Sequence, residues 1–227
     1  MNKNIIISLG IAVLISTKLF ALSGSHAGLR QNLGGDNNQI CVYCHTPHAS
    51  NVAFGKAPLW NKPLTSTVFT MYGASSAGVA GQTMAGTATD AQPTDAALAC
   101  LSCHDGVSAM NSVINAPGSG RISSTGVLIG SNPPSPEPMT NLVKAMGYNG
   151  DMTDDHPISI VYNEGRAGLR PKTTPLVDFF GATTVGNLLR NGKVQCVSCH
   201  DPHGTGWSMY LRNGNTGSTL CLGCHNK

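Results

Sequence analysis

The stretch Cys196-Val197-Ser198-Cys199-His200 is one of four Cys-x-x-Cys-His motifs that decide the fold of this chain. Two cysteines separated by two residues and followed at once by a histidine are typical of covalent c-type haem attachment. In such a site the thiols form thioethers with the haem vinyl groups, and the histidine is the proximal iron ligand. The four motifs use all eight cysteines of the chain.

The motifs therefore predict the residues that hold four haems c. The predicted thioether residues are Cys41, Cys44, Cys100, Cys103, Cys196, Cys199, Cys221 and Cys224, and the predicted proximal ligands are His45, His104, His200 and His225. Paired Cys-x-x-Cys units also build zinc ribbons, and eight cysteines are common in disulfide-bonded secreted chains. Neither alternative explains a histidine after every second cysteine, so haem attachment is the preferred interpretation.

The number of histidines matches the number of axial positions on four irons. The chain has eight histidines, and four of them belong to the motifs. One histidine then remains for the second face of each iron. The predicted distal ligands are His26, His48, His156 and His203. This balance predicts bis-histidine haems with no open iron position, which suits electron transfer and argues against an enzyme.

Two of the predicted distal ligands share a context. His48 and His203 each follow a proximal histidine by three residues, with a proline directly before them. A proximal histidine covers one face of its own haem, and a residue three positions later is held on the same side. We therefore expect His48 and His203 each to bind the iron of a different haem, which would bring two haems close together.

The other two predicted distal ligands have different surroundings. His156 precedes Pro157, which favours an extended backbone. Asp154 and Asp155 are the expected acceptors for its second ring proton. His26 stands near the N-terminus, where a ligand role is required by the histidine count and not by any local pattern.

Other nitrogen and sulfur donors are weaker candidates for the irons. Lys62 and Lys193 are possible amine ligands, although lysines are expected to be solvated. Methionine ligation would raise a haem potential, but methionine is more often a filler of core gaps. A reductase with an open or lysine-bound iron is therefore the least favoured functional class.

Residues 1–21 are predicted to be a secretory signal peptide. Lys3 supplies a short basic region, an apolar run extends from Ile5 to Ile15, and Ala21 lies before the expected cleavage point. An uncleaved anchor is the alternative, but a membrane span needs about 20 apolar residues and Lys18 interrupts this one. The chain is thus expected to be secreted, with residues 22–227 forming a single tetrahaem domain.

The composition predicts an unusual core. Glycine contributes 27 of the 227 residues and aromatic residues only 5%. Strand patterns are scarce, and Pro175 to Arg190 is the single weak helix candidate. We therefore predict a multihaem cytochrome c fold, mostly irregular, with short helices at the motifs and a core formed by a stacked array of four haems.

The charge of the chain gives no indication of a nucleic-acid partner. Loss of Lys3 and Lys18 with the signal peptide would leave 12 basic residues against 11 acidic ones. Nucleic-acid binding would need a basic stripe or patch, which the sequence does not contain.

Several fragments of the chain resemble the tetrahaem members of the outer-surface cytochromes that polymerise into extracellular filaments, often called cytochrome nanowires. The resemblance rests on the sequences around the motifs more than on the motifs themselves. The fragments are Cys41-Val42-Tyr43-Cys44-His45-Thr46-Pro47-His48, Pro58-Leu59-Trp60-Asn61, Cys100-Leu101-Ser102-Cys103-His104-Asp105-Gly106, Asp155-His156-Pro157-Ile158-Ser159 and Cys199-His200-Asp201-Pro202-His203-Gly204.

This resemblance implies a continuous haem stack and a homopolymer in which one haem is completed by a histidine of the next subunit. By its position His48 is the candidate donor, with the haem of Cys221, Cys224 and His225 or another terminal haem as its acceptor. The implied function is to carry respiratory electrons from redox partner cytochromes to extracellular acceptors. The alternative is a monomeric electron shuttle in the periplasm.

The composition also generates a testable prediction about the chain without haem. Because such a chain buries little apolar area by itself, haem attachment and folding are expected to be coupled. The apoprotein, expressed without haem-attachment machinery, should show no cooperative thermal transition by circular dichroism, whereas the holoprotein should. A cooperative transition in the apoprotein would contradict this expectation.

Overall fold

The structure is a computed structural model, and regular structure in it is short. It describes residues 40–75, 78–83, 86–108, 112–115, 122–123, 126–128, 146–204 and 206–226. The helices are α1 (Ala96–His104), α2 (Val185–Leu188), α3 (Cys196–Cys199) and α4 (Thr219–Leu222). Short 3-10 turns cover Ile40–Tyr43, Tyr148–Gly150, Ser208–Tyr210 and Thr216–Ser218.

Two small antiparallel sheets accompany these helices in the described residues. The strands are β1 (Ser112–Val113), β2 (Ile122–Ser123), β3 (Gly126–Leu128), β4 (Ile160–Val161) and β5 (Lys193–Val194). The first sheet has the order β1-β3-β2, with Val113 opposite Val127 and Ile122 also opposite Val127. In the second sheet, Ile160 of β4 pairs with Val194 of β5.

All four motifs begin in or lie within a helical turn, as the sequence predicts. The first motif starts in the turn Ile40–Tyr43, the second ends α1, the third starts α3 and the fourth lies at the end of α4. The loop-rich character of the described residues agrees with the low content of regular structure that the composition predicts. The single domain and the stacked haem core stay predictions.

Helix α1 is the longest helix in the part of the chain that the structure describes, and its sequence explains where it forms and ends. Residues Ala96-Ala97-Leu98-Ala99 before the second motif are strong helix formers. The helix ends at His104, and Gly106 then adopts a left-handed backbone with φ 73°. Glycine tolerates this conformation at a helix C-terminus without a Cβ penalty. The second motif is therefore presented on the last turn of a helix.

The weak helix candidate from Pro175 to Arg190 is wrong over most of its length. The chain instead reverses direction, because Pro175 pairs with Thr184 in an antiparallel bridge. Asp178 and Gly181 have left-handed backbones, with φ 60° and 68°, which no regular helix accommodates. Only α2 remains helical, and it starts at a capping box formed by Thr184 and Asn187.

A tight turn connects this region to the third motif. Arg190 and Lys193 exchange backbone hydrogen bonds of 3.0 and 2.9 Å, and Asn191 and Gly192 between them have φ values of 52° and 73°. An Asn-Gly pair with both residues at positive φ is typical of a two-residue hairpin turn. This turn leads directly into β5 and then into α3.

The apolar core of the described residues consists of small clusters. One cluster lies under α1 and contains Phe69, Met71, Ala97, Leu101, Met152 and Ile158. A second contains Tyr162, Val185 and Leu189, with Cys224 of the fourth motif packed against it. Among the described residues, no helix has both the length and the apolar character needed to cross a bilayer.

Candidate haem centres

The first, third and fourth motifs each form one helical turn that places the two cysteines and the histidine together. The backbone N–H of His45 donates to the carbonyl of Cys41 at 2.7 Å, and the N–H of Cys44 donates to the same carbonyl at 3.1 Å. The third and fourth motifs repeat the first of these bonds at 3.0 and 2.9 Å. Residues three and four positions apart on a helical turn share one face. Both thiols and the imidazole of a motif can therefore meet one haem.

Three of the four motifs lie against a three-residue segment with the same hydrogen bonds. We call these the support segments, and they are Leu59–Asn61, Gly168–Arg170 and Tyr210–Arg212. The first residue of each has a left-handed backbone, with φ values of 53°, 85° and 57°. The second residue of each pairs with the proximal histidine of its motif. The arrangement repeats although the three segments have little sequence in common.

The third residue of each support segment holds its motif twice. Its backbone N–H donates to the carbonyl of the second motif cysteine, at 2.8 to 2.9 Å. Its side chain donates to the carbonyl of the residue after the first motif cysteine. These side-chain bonds are Asn61 Nδ2 to Val42 O at 2.7 Å, Arg212 Nε to Val197 O at 2.7 Å and Arg170 Nε to Leu222 O at 2.8 Å. Both ends of the helical turn are thus fixed.

The proximal histidines of the first and third motifs are oriented by backbone carbonyls. His45 Nδ1 lies 2.7 Å from the carbonyl oxygen of Pro58, and His200 Nδ1 lies 2.8 Å from that of Met209. Because a carbonyl only accepts hydrogen bonds, Nδ1 must carry the proton in both rings. Nε2 then keeps its lone pair, which is the form that binds a metal.

The predicted distal ligands His156 and His203 also have their Nδ1 atoms directed at protein oxygens. His156 Nδ1 lies 3.0 Å from the carbonyl oxygen of Pro157. The expectation that Asp154 or Asp155 accepts this proton is wrong, since Asp155 instead accepts from the backbone N–H of Gly147. His203 Nδ1 lies 3.7 Å from Asp201 Oδ1. Nε2 is therefore the atom left for iron in His156.

Two pairs of imidazoles stand at the separation of axial ligands. The ring centres of His45 and His203 are 6.2 Å apart with an interplanar angle of 21°, and those of His156 and His225 are 6.4 Å apart at 74°. A metal-bound imidazole nitrogen lies about 2 Å from the metal, so the centres of two rings on opposite faces are about 6 Å apart. Each pair joins one predicted proximal ligand with one predicted distal ligand.

The other predicted ligands have different surroundings. The His48 side chain is exposed, and no other ring lies against it among the described residues. His104 ends α1, and its carbonyl accepts a hydrogen bond from the N–H of Met146 at 2.7 Å. His26 and the predicted signal peptide lie outside the described residues.

Thiols of motifs that are successive in the sequence lie near each other. Cys100 and Cys196 are hydrogen-bonded, which lowers the pKa of Cys100 and raises that of Cys196. Burial raises the pKa of Cys44 to about 12, with a further contribution from nearby Cys103. Burial likewise raises the pKa of Cys199, and Cys221 adds to it. Each motif is therefore close in space to the next one in the sequence.

The alternative uses of the cysteines find no support in the described residues. All eight cysteines are free thiols. No three His, Cys, Asp or Glu side chains in the described part of the chain converge as a zinc site requires.

The motif surroundings also fit a haem through their unsatisfied polar atoms. Within the described part of the chain, the buried side-chain atoms without a hydrogen-bond partner are Tyr43 Oη, Trp60 Nε1 and Gln195 Nε2. Tyr43 lies inside the first motif, Trp60 lies edge-on to His45, and Gln195 directly precedes the third motif. Buried donors normally have acceptors. Haem propionates are acceptors, so these three donors are compatible with bound haem.

Lys62 is far more buried than its sequence context predicts. The expectation that it is solvated is wrong, because only 1% of its surface is exposed. Its Nζ donates to the carbonyl of Ser112 at 2.7 Å. Lys193, the other candidate amine, is half-buried and forms an ion pair with Asp90 at 2.6 Å.

Comparison with known protein families agrees with this description of the C-terminal motifs. A family model described as a doubled CXXCH motif matches residues 189–227. This match indicates a c-type cytochrome family with covalently bound haem c, of the kind that transfers electrons and is not typical of enzymes. No match to the chain was found among curated proteins.

The support segments generate a stability prediction at Asn61. Its buried amide bonds the carbonyls of Val42 and Asn115 and accepts from the N–H of Asn115. Asn61→Ala leaves three buried backbone groups without partners, and we expect it to lower the free energy of unfolding of the holoprotein by about 2–4 kcal/mol. Guanidinium unfolding followed by circular dichroism measures this.

Asn163→Ala is the matched control, because Asn163 is exposed and its amide accepts a single hydrogen bond, from Gly165. It should change the free energy of unfolding by less than about 1 kcal/mol. Equal losses in the two variants would refute the role assigned to Asn61.

Proposed function

We propose that this chain transfers electrons through four covalently bound bis-histidine haems c, as the repeating subunit of an extracellular conductive filament. The observation that carries the proposal is the pair of imidazole couples at axial-ligand separation, His45 with His203 and His156 with His225. When bound, haem c supplies a reversible one-electron iron couple. With both faces of an iron held by imidazole, no position is left for a substrate.

The protein side chains then have separate tasks. The motif turns hold the two thiols beside one imidazole, and the support segments keep the first, third and fourth turns in place. The carbonyls of Pro58 and Met209 hold the protons of His45 and His200 on Nδ1, so that Nε2 is directed at the iron. Such fixed ligands keep reorganisation small when the charge on the iron changes, which suits rapid electron transfer.

These couples leave His26 and His48 for the haems of the second and third motifs. His203 serves the first motif, which agrees with the expectation that it binds a haem other than that of His200. His156 stands beside His225, so the fourth haem has both ligands within one chain. We therefore place the acceptor of His48 on the second or third motif of a neighbouring subunit.

The surroundings of His48 support its use at an interface between copies. The side chain is exposed, and Val52 and Leu59 on the same loop expose 93% and 53% of their surfaces. The carbonyl of Leu59 accepts from the N–H of Thr46 at 2.9 Å, which holds this loop against the segment that carries His48. Exposed apolar side chains around a free metal ligand favour a protein partner. A second copy supplies the matching iron.

The proposed location follows from the function. Residues 1–21 would export the chain from the cytoplasm, and covalent haem attachment and filament assembly would follow outside it. Redox partner cytochromes would supply electrons, and external acceptors would receive them. The second candidate is a monomeric periplasmic shuttle, which the two couples within a single chain also suit.

The couples can be tested by removing their distal members. His203→Ala and His156→Ala should each convert one of the four ferric irons from low-spin to high-spin, because an axial ligand is lost. Electron paramagnetic resonance and visible spectra of the purified holoprotein measure this. Four low-spin irons in either variant would show that its couple is not an iron-binding pair.

A haem-deleted background identifies which iron each histidine serves. Cys41→Ala/Cys44→Ala removes the first haem, so adding His203→Ala should convert no further iron to high-spin. Adding His156→Ala to the same background should still convert one iron to high-spin, since His156 serves the fourth motif. If the two additions behaved alike, the assignment of ligands to motifs would be wrong.

The filament is tested at His48. His48→Ala should abolish haem-stained filaments in the sheared extracellular fraction, as seen by cryo-electron microscopy, because the iron bond across each interface is lost. Haem content per chain should stay at the wild-type value. Val177→Ala, at a 74% exposed apolar side chain far along the sequence from His48, is the matched control and should leave filaments intact.

Intact filaments in His48→Ala with every iron low-spin would contradict the role of His48. A wild-type haem protein that stays monomeric in the periplasmic fraction would instead favour the shuttle.

A further inference from the structure

Lys62 occupies a buried position between the first two motifs. It directly follows the support segment Leu59–Asn61 of the first motif, and its Nζ reaches the carbonyl of Ser112. The backbone N–H of Asn61, directly before Lys62, donates to the carbonyl of Cys44 in the first motif at 2.8 Å. Thr65, three residues after Lys62, donates through its hydroxyl to Asp105, which directly follows the second motif. The ammonium also lies within hydrogen-bonding reach of the thiol of Cys103.

A buried ammonium such as that of Lys62 is unusual in a protein and requires an explanation. Burying an ammonium disfavours the folded state by several kcal/mol unless its surroundings compensate. The residues that follow the other two support segments are Pro171 and Asn213, and neither is charged. Of the residues that directly follow a support segment, only Lys62 is therefore charged, whereas the positive charges at the third and fourth motifs, Arg212 and Arg170, lie within their support segments.

We propose that Lys62 is a redox-tuning residue, whose buried ammonium raises the reduction potentials of the haems on the first and second motifs. This inference rests on the haem attachment proposed above. Cys44 and Cys103 would become thioethers in the holoprotein, so a cation near their sulfur atoms would act electrostatically on both haems. The two potentials would then be shifted together by a single side chain.

The sign of the effect follows from electrostatics. On reduction each iron takes up one electron from its donor, no bond forms or breaks, and the net charge falls by one. A nearby positive charge in a medium of low dielectric constant stabilises the more negative, reduced state. Removing that charge therefore lowers the potential. Solvent screens an exposed charge, so its removal has little effect.

Asp105 provides an independent charge of opposite sign. It is fully buried and directly follows His104 of the second motif. Its carboxylate oxygens accept hydrogen bonds from the hydroxyls of Thr65 and Ser108 and from the N–H groups of Val107 and Ser108. Hydrogen bonds to a carboxylate favour its ionised form, so its charge should lower the potential of the second haem.

The experiment is a spectroelectrochemical titration of the holoprotein. In Lys62→Gln, which removes the charge and keeps a donor for Ser112, part of the four-electron curve should move to lower potential, and the remainder should stay. Lys62→Arg keeps the charge and should restore the wild-type curve. Lys172→Gln removes the same charge from an exposed side chain and should leave the curve unchanged.

An unchanged curve in Lys62→Gln with four low-spin haems overturns the inference alone. A high-spin iron in that variant overturns it too, because Lys62 would then be an axial ligand. Absence of haem from the first or second motif in the wild type overturns both the inference and the proposed function. If Lys62→Gln yields no holoprotein, Lys62→Met decides, because it removes the same charge and fills the buried position with an apolar side chain: a part of the curve moved to lower potential supports the inference, and an unmoved or raised curve overturns it.

Discussion

The hydrogen bond between a proximal imidazole and a backbone carbonyl is the interaction on which the rest of this structure depends. A single turn of Cys-x-x-Cys-His is too short to be a stable helix by itself. At the first and third motifs a loop residue accepts the Nδ1 proton, and the next three residues hold the turn at both ends. These hydrogen bonds and the iron bond would orient the imidazole together, so the loops help to shape the haem sites.

This dependence explains why a loop-rich chain can be well ordered around its motifs. Leu59 and Tyr210 adopt left-handed backbones, a conformation that costs a non-glycine residue about 1 kcal/mol or more. In return, each support segment places a carbonyl, a bridging residue and a side-chain donor against one motif. Tyr162 performs a similar task between segments, because its hydroxyl donates to the carbonyls of Arg170 and Cys224. Hydrogen bonds to motif backbones thus take over part of the role that apolar packing has elsewhere.

The sequence predicts the motifs, their helical turns and the scarcity of regular structure, because these depend on neighbouring residues. It does not predict the support segments, whose three sequences share little beyond a hydrogen-bonding side chain at Asn61, Arg170 or Arg212. The sequence also does not predict the chain reversal between Pro175 and Thr184. Its apolar residues have a spacing similar to that of a helix, and the reversal depends on the positive φ values of Asp178 and Gly181. The burial of Lys62 was missed because composition favours solvated lysines.

The pairing of the histidines cannot be predicted from local sequence, and the reason is physical. His45 and His203 come from opposite ends of the described chain, and their approach depends on how the first and third motifs pack. The thiols of Cys100 and Cys196 are in contact, so the second and third motifs also meet directly. If the haems are attached as proposed, the distal iron bonds of His203 and His156 join segments distant in sequence, and both act as crosslinks. Haem ligation would then hold together the same loops whose hydrogen bonds orient the ligands. The fold and the geometry for electron transfer would therefore depend on the same contacts.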